Sequence, residues 1–458
     1  MLESSLTRRS FLAGSATALT AASYRRVMGA NERIGVGFVG YGLIGKRHVI
    51  DFQEQPDVDM LGVAEAHAGR RDEAVGFIGG GVKGYADFRQ LYDRNDVQAV
   101  VISTPDHWHA LQTMMACAAG KDVYVEKPVT LFANEGRWML EVAKRHKSVV
   151  QVGTQQRSGK HYQAARELLQ QGKLGKIVAV RAQSSRNVMP GFGNPPDQKP
   201  PPELDWEMWQ GPAPARAYNP NRAIYHFRWF WDYSGGQMTN LGQHSLDIVD
   251  WVLGVQSLQA VSSAGGRFCL QDNGETPDTQ DACFEFGNWT ATWSHREGSR
   301  GTPPEYGLEF CGTLGSLAIS RKGYRITGDP DLPPEVFVPQ FTGAHPVGGP
   351  KATVPSGPRK YRVQSVEDKT GDDRAQFKAH VRNFLDCMVS RKSPISDLES
   401  GHRVSSMCHL ANVSLRLGRK LKWDATQETI RDDAAAAAWL TRPYRAPWDK
   451  ELVALKVG

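Results

Sequence analysis

Ile34-Gly35-Val36-Gly37-Phe38-Val39-Gly40-Tyr41-Gly42-Leu43-Ile44-Gly45 is the stretch on which the fold turns. A run of small apolar residues rises into Gly-x-Gly-x-x-Gly and opens a segment of helical character. In such a turn the first Gly permits the tight bend, the second lets backbone approach a pyrophosphate, and the third lets helix pack on strand. The unpaired N–H groups of the helix start then face the phosphates. Glu65 ends the strand-like run Met60–Ala64, twenty residues after Gly45. A carboxylate there accepts both hydroxyls of a ribose and repels a 2′-phosphate. The pattern predicts a bound dinucleotide, NAD before NADP, with Arg70 and Arg71 leaving NADP possible.

Outward from this turn, residues 31–153 alternate between β and α. Further strand-like runs are Ala99–Ile102, Val123–Val125 and Val149–Val152, with helical stretches at Gly45–Gln53, Phe88–Asp93, Ala110–Ala119 and Asn134–His146. Short apolar strands joined by helices imply a parallel sheet covered on both faces. The rhythm breaks after Gly153. A helix over Tyr162–Gln171 and a strand over Ile177–Ser184 precede nine prolines between Met189 and Pro220. Trp206, Trp209 and Tyr218 are costly residues for a floppy tether, so this stretch predicts an ordered loop covering a site. Strand-like segments near 258–270, 280–295 and 305–321 predict a mainly antiparallel second sheet. Residues 327–374 read as a second long loop, and the helical spacing of Phe377, Val381, Phe384, Leu385 and Met388 predicts a helix closing a second domain over 154–458.

The chain of 458 residues is too long for one core. Its 55 basic and 49 acidic residues are interspersed, which argues for solubility and against nucleic-acid binding. Six Cys show neither CxxC nor Cys/His ligand spacing, so neither disulfides nor a metal is expected. Residues 1–30 stand apart. Thr7-Arg8-Arg9-Ser10-Phe11-Leu12 precedes a weakly apolar run to Ser23, the form of a twin-arginine export signal. As a helix that run would cover about 20 Å, short of the roughly 30 Å of a bilayer core, so no stable membrane span is expected. The motif predicts export of the folded protein to the periplasm, with the twin-arginine machinery as partner.

Three further stretches carry a resemblance: Ser103-Thr104-Pro105-Asp106-His107-Trp108-His109, then Ala118 to Glu126-Lys127-Pro128, then Gly235-Gly236-Gln237-Met238-Thr239-Asn240-Leu241-Gly242-Gln243-His244-Ser245-Leu246-Asp247. Together with the glycine turn they resemble the glucose–fructose oxidoreductase / inositol dehydrogenase / rhizopine-catabolism (Gfo/Idh/MocA) family, in its exported bacterial subset. The resemblance implies an α/β fold: a Rossmann domain followed by an α/β domain with a large, mainly antiparallel open sheet, through which copies of the chain associate. It implies a nicotinamide between the domains, with Gly40, Gly42, Leu43, Ile44, Gly45, Glu65, Thr104, Pro105, His107, Glu126, Lys127 and Gln155 around the cofactor. Lys127 then stands beside the reacting hydroxyl with a cis peptide to Pro128, and His244 faces the substrate as proton acceptor.

The chemistry suits these residue types. Removing hydride from a carbinol carbon requires loss of the hydroxyl proton. A neutral His takes that proton, and a buried ammonium holds the developing alkoxide. The resemblance also implies an Asp four residues before His244, where this chain has Asn240. On a regular helix Asn240, His244 and Asp247 share a face, which makes Asp247 a candidate for the missing carboxylate. Arg157, Tyr162, His226, Arg228, Trp231 and Tyr233 are candidate contacts for a sugar or polyol. The expected activity is an oxidoreductase of sugars, sugar acids or polyols with a retained cofactor. The rivals are an NAD-dependent glycosidase or epimerase, whose Gly-Gly-His-Gly stretch is absent here, and a non-catalytic dinucleotide sensor, against which Lys127 and His244 both argue.

Overall fold

Residues 33–152 alternate strand and helix, as the apolar spacing predicts. In a computed structural model of the chain, which describes residues 33–299, 307–328, 341–342, 345–346 and 363–457, six parallel strands form one sheet. They are β1 (Ile34–Val39), β2 (Val58–Ala64), β3 (Lys83–Tyr85), β4 (Ala99–Ile102), β5 (Asp122–Val125) and β6 (Val150–Val152), in the spatial order β3-β2-β1-β4-β5-β6. The central strands β4 and β5 are buried on both faces, which is why they read as unbroken apolar runs. Strand order reverses between β1 and β4, so a crevice opens beyond their carboxyl ends.

Among the described residues the second sheet has ten strands. Its members are β7 (Ile177–Ser185), β8 (Ala260–Gly266), β9 (Thr279–Glu285), β10 (Thr290–Arg296), β11 (Gly307–Gly312), β12 (Gly315–Ser320), β13 (Gly323–Gly328), then, after the two-residue pair β14 (Phe341–Thr342) and β15 (His345–Pro346), β16 (Val366–Asp368), β17 (Leu421–Asp424) and β18 (Thr429–Ile430). Its order is β16-β13-β12-β11-β7-β10-β9-β8-β17-β18, antiparallel except where β7 and β10 run parallel. Along β10 buried and exposed residues alternate, the mark of a sheet with one face on the core. Helices Lys160–Gln170, Gln243–Leu253 and Leu398–Leu417 cover that face, with Trp293, Phe284 and Phe310 at its centre.

The helix carrying Phe377 to Met388 departs from expectation. It runs Asp373–Ser390, capped by Asp372, and inserts Val381, Phe384, Leu385 and Met388 among Phe38, Phe52 and Tyr124 of the first domain. Spacing fixes which face of a helix is apolar, not which core receives it. The chain thus returns to cover the sheet it began with, and Tyr444, Trp448 and Leu452 pack there too. Residues 1–32, with the twin-arginine motif, and most of 327–374 lie outside the described residues. Among the described residues no helix is long and apolar enough to cross a membrane.

Candidate active and cofactor-binding site

A cleft of about 380 Å³ lies at the carboxyl ends of β1, β2, β4 and β5, between the two sheets. Its floor is the glycine turn, and the three glycines carry distinct constraints. Gly40 has φ +88°, and a Cβ there would strike the Ser103 backbone at 2.9 Å. A Cβ on Gly45 would lie 2.4 Å from the Gly40 carbonyl oxygen. A Cβ on Gly42 would meet nothing nearer than Arg70 Nη1, at 3.9 Å, so its vacant face opens into the cleft. Leu43 at the helix start is 71% exposed there, an apolar surface of the kind a bound nucleotide covers. The cradle fits a dinucleotide pyrophosphate.

Glu65 directly follows β2, with its carboxylate held in place. Tyr41 N donates to Oε2 at 2.8 Å and His67 N to Oε1 at 2.9 Å. Above it the Pro-rich stretch is ordered, as its tryptophans suggested. Ala68 N donates to Glu203 O at 2.7 Å and Asp205 N to Ala66 O at 3.0 Å, stitching the loop to the chain just past Glu65. Leu204, Met208 and Trp209 of that loop line the cleft.

At the other end stand Lys127 and His244. The Lys127–Pro128 peptide is cis. Lys127 Nζ donates to the Asn240 backbone oxygen at 2.7 Å and to its Oδ1 at 3.1 Å. Burial pushes the ammonium down to about 8; Glu126 and Asp106 oppose this shift, while Arg228 and Arg321 add to it. Behind it lies Glu126, 4% exposed, accepting from Gln155 Nε2 at 2.8 Å and joined to His48 Nε2 at 2.7 Å. Burial works to raise this carboxyl, but His48, Lys127 and Gln155 outweigh it and hold it below the usual range. His244 is 6% exposed, and its Nδ1 has no partner among the described residues. Burial, with the charges of Lys127 and Arg321, holds its imidazole well below 6.5, so it is neutral at pH 7.

Asn240 lies elsewhere than helical spacing implies. Met238–Gly242 is a π-turn, and only from Gln243 is the helix regular. The wider turn directs Asn240 to Lys127 rather than to His244, and its Nδ2 donates to Gln237 Oε1 at 3.0 Å. Asp247 is also displaced from its expected role. Arg157 grips both its oxygens, at 2.7 and 2.9 Å, inside the protein. Burial raises the Asp247 carboxyl to about 6 against the pull of Arg157. Arg157 also reaches Asp250 at 3.3 Å, and neither Arg157 nor Asp247 lines the cleft.

Other candidates fall outside the cleft for similar reasons. Tyr162 is 1% exposed in the core of the second sheet. In the tight turn His226–Trp229, Phe227 and Arg228 face the cleft whereas His226 stacks on Phe192 at 4.4 Å. Tyr233 packs on Trp209, and Trp231 against Arg416. His107 Nε2 donates to the Trp209 carbonyl oxygen at 3.0 Å behind the cleft wall, where burial lowers the imidazole to about 3. Its neighbour His109 lines the cleft, bridging the Pro128 and Thr104 carbonyls. Gly40, Gly42, Leu43, Ile44, Glu65, Thr104, Pro105, Glu126, Lys127, Gln155, Asn240 and His244 all line it; Gly45 packs beneath. Sequence reasoning missed Asp106, Tyr225 and Arg321; the last sits on β-hairpin residues with no motif around them.

Two family models match the chain: an oxidoreductase family NAD-binding Rossmann fold (GFO_IDH_MocA) over residues 34–154, and the C-terminal alpha/beta domain of the same oxidoreductases over 163–264 and 359–450. Inositol 2-dehydrogenase of Rhizobium meliloti is 31% identical over 144 residues, 31% of this chain and 43% of that protein. The rhizopine catabolism protein MocA of Rhizobium meliloti is 25% identical over 222 residues, 48% of this chain and 58% of that protein. The chain thus matches about half the length of these curated relatives. Among solved structures, levoglucosan dehydrogenase in complex with NADH superposes with a TM-score of 0.64 at 17% identity, over 85% of this chain and 99% of that one. GenD2 from gentamicin A biosynthesis, in complex with NAD, gives 0.61 at 20% identity, over 86% and 97%. At these identities the likeness concerns the fold.

Proposed function

Because the chain belongs to the Gfo/Idh/MocA oxidoreductase family and has its NAD-binding Rossmann domain, we propose that it transfers a hydride between nicotinamide and a hydroxyl-bearing carbon of a sugar, sugar acid or polyol. The observation that carries this reading is convergence: Lys127, Asn240 and His244 line the same cleft as the glycine turn and Glu65. Bound NAD supplies the hydride acceptor. The protein's own residues handle the proton and the charge. Two of the three N–H bonds of Lys127 are fixed on Asn240, which leaves the third for the substrate oxygen. Near pH 7 Lys127 is mostly protonated, and it favours the alkoxide form of that oxygen. His244, neutral, accepts the hydroxyl proton. Inositol and levoglucosan dehydrogenases among the relatives support a carbohydrate or cyclitol substrate.

Retention of the cofactor is part of the proposal. The loop stitched over Glu65 supports slow release, and the Arg8-Arg9 motif supports export of the folded, loaded protein to the periplasm. The one-faced second sheet supports association of copies. The test is direct: denature the purified protein, identify the released dinucleotide, and follow its oxidation state after incubation with a panel of sugars and polyols. Stoichiometric NAD(H) whose redox state responds to a panel member is expected. Protein that carries no dinucleotide, or carries one that no carbohydrate oxidises or reduces, would overturn the reading.

A further inference from the structure

Two carboxylates, Glu126 and Asp106, and three cationic side chains line the substrate end of the cleft. Glu126 is held by His48 and Gln155, and Asp106 by Ser234 Oγ at 2.5 Å. On the positive side stand Lys127, held by a neutral amide, Arg321, paired with Asp373 at 3.5 Å, and Arg228. Arg228 differs from the arginines around it. Arg186, Arg216 and Arg222 each hold a carboxylate, at 2.9, 2.7 and 3.2 Å. Among the described residues Arg228 has no carboxylate within 4 Å; its Nη1 donates to the Tyr225 backbone oxygen at 3.0 Å. Its guanidinium lies over the Tyr225 and Phe227 rings, at 5.1 and 4.6 Å, and these clamp its plane. Both ring residues line the cleft with it. A guanidinium fixed by aromatic faces, with donors unspent, is built to grip a planar two-oxygen anion.

We propose that the substrate carries a carboxylate, as a uronic or aldonic acid does, and that Arg228 binds it while the reacting hydroxyl meets Lys127 and His244. This rests on the oxidoreductase reading and narrows it from neutral sugars to sugar acids. The cofactor's own pyrophosphate is the other anion the cleft receives. Its cradle at Gly40–Leu43 has Arg70 beside it, whereas Arg228 acts on Lys127 and feels Asp106 and Glu126, at the opposite end.

Calorimetric titration of the intact, cofactor-loaded protein tests the assignment without turnover. The probes are D-glucuronate, D-galacturonate and D-gluconate against the uncharged methyl esters of the two uronic acids and D-glucitol. At least one acid should bind about 30-fold or more tighter than its uncharged counterpart. Arg228→Gln should remove that preference, Arg228→Lys should keep part of it, and NADH affinity should stay within about twofold in both. Equal affinity for acids and neutral counterparts, or no binding of any acid, would overturn the proposal. So would an Arg228→Gln variant that weakens NADH and keeps the preference, since the anion would then be the pyrophosphate. Acid-selective binding without hydride transfer to any carbohydrate would instead overturn the oxidoreductase reading and leave the carboxylate site standing.

Discussion

Replacing Asn240 by Asp changes the charge on Lys127 at a known distance. Asn240 Oδ1 stands 3.1 Å from Lys127 Nζ. A full carboxylate charge there is worth about 5 kcal/mol at an effective dielectric constant of about 20. Most of this is lost again. The new carboxylate is desolvated, and it faces Gln237 Oε1, which today accepts from Asn240 Nδ2 at 3.0 Å. Gln237 can offer its amide N–H instead only by giving up its 2.8 Å bond to Glu297. A net rise of about 1–2 pKa units remains for Lys127. The wild-type lysine titrates at about 8, so its ammonium is lost as pH rises through that value. In carbohydrate oxidation the alkaline limb of kcat/KM should therefore lie near pH 8, and the acid limb, set by His244, below 6.5. Asn240→Asp widens the range over which Lys127 is protonated and should move the alkaline limb up by about 1–2 units. NMR of isotopically methylated lysines follows the same titration without substrate. If the alkaline limb and the lysine signal stay put while the acid limb rises, Asn240 acts through His244, and the contact with Lys127 has no bearing on catalysis.

Other substitutions separate binding, fold and chemistry. Lys127→Ala should leave NADH affinity near wild type and lower kcat and kcat/KM together, by about 100- to 10,000-fold, in steady-state assays; a rise in KM alone would make Lys127 a binding residue. Glu65→Ser should weaken NADH about tenfold or more and improve NADPH relative to it, measured by fluorescence titration; an unchanged ratio would remove Glu65 from the ribose site. Gly42→Ala should fold normally and lose dinucleotide affinity, because the space beside it is open, whereas Gly45→Ala should lower stability by about 1–3 kcal/mol in thermal unfolding, because its Cβ would meet the Gly40 carbonyl. The reverse ranking would contradict the division of roles among the glycines.

What the sequence disclosed follows the reach of its signals. Gly40 to Gly45 announced both turn and ligand because each glycine answers a constraint within six residues of chain. The buried strands were legible because both their faces are apolar, while β3, Lys83-Gly84-Tyr85, is an exposed edge strand without an apolar pattern. The helix Ala68–Ile78 was missed too; it buries only Ala74. Roles that depend on distant partners were out of reach. Arg157 and Asp247 are separated by ninety residues, and nothing local marks either as the other's counter-ion. Asn240 departs from its expected face because spacing predicts a regular helix where Met238–Gly242 forms a π-turn. Arg228 could be marked as a polar candidate, but its lack of a carboxylate partner is a property of the assembled cleft.

In the proposed reaction a carbohydrate C–H hydrogen passes to the nicotinamide in the cleft of Lys127 and His244. Load the protein with NAD, incubate it with acids and polyols deuterated at their carbinol carbons, and measure by mass spectrometry the deuterium content of the released dinucleotide. A single deuterium on the dinucleotide is expected from at least one substrate with the wild type, and almost none with Lys127→Ala. A dinucleotide that stays unlabelled throughout, or labelling that survives Lys127→Ala undiminished, would contradict it.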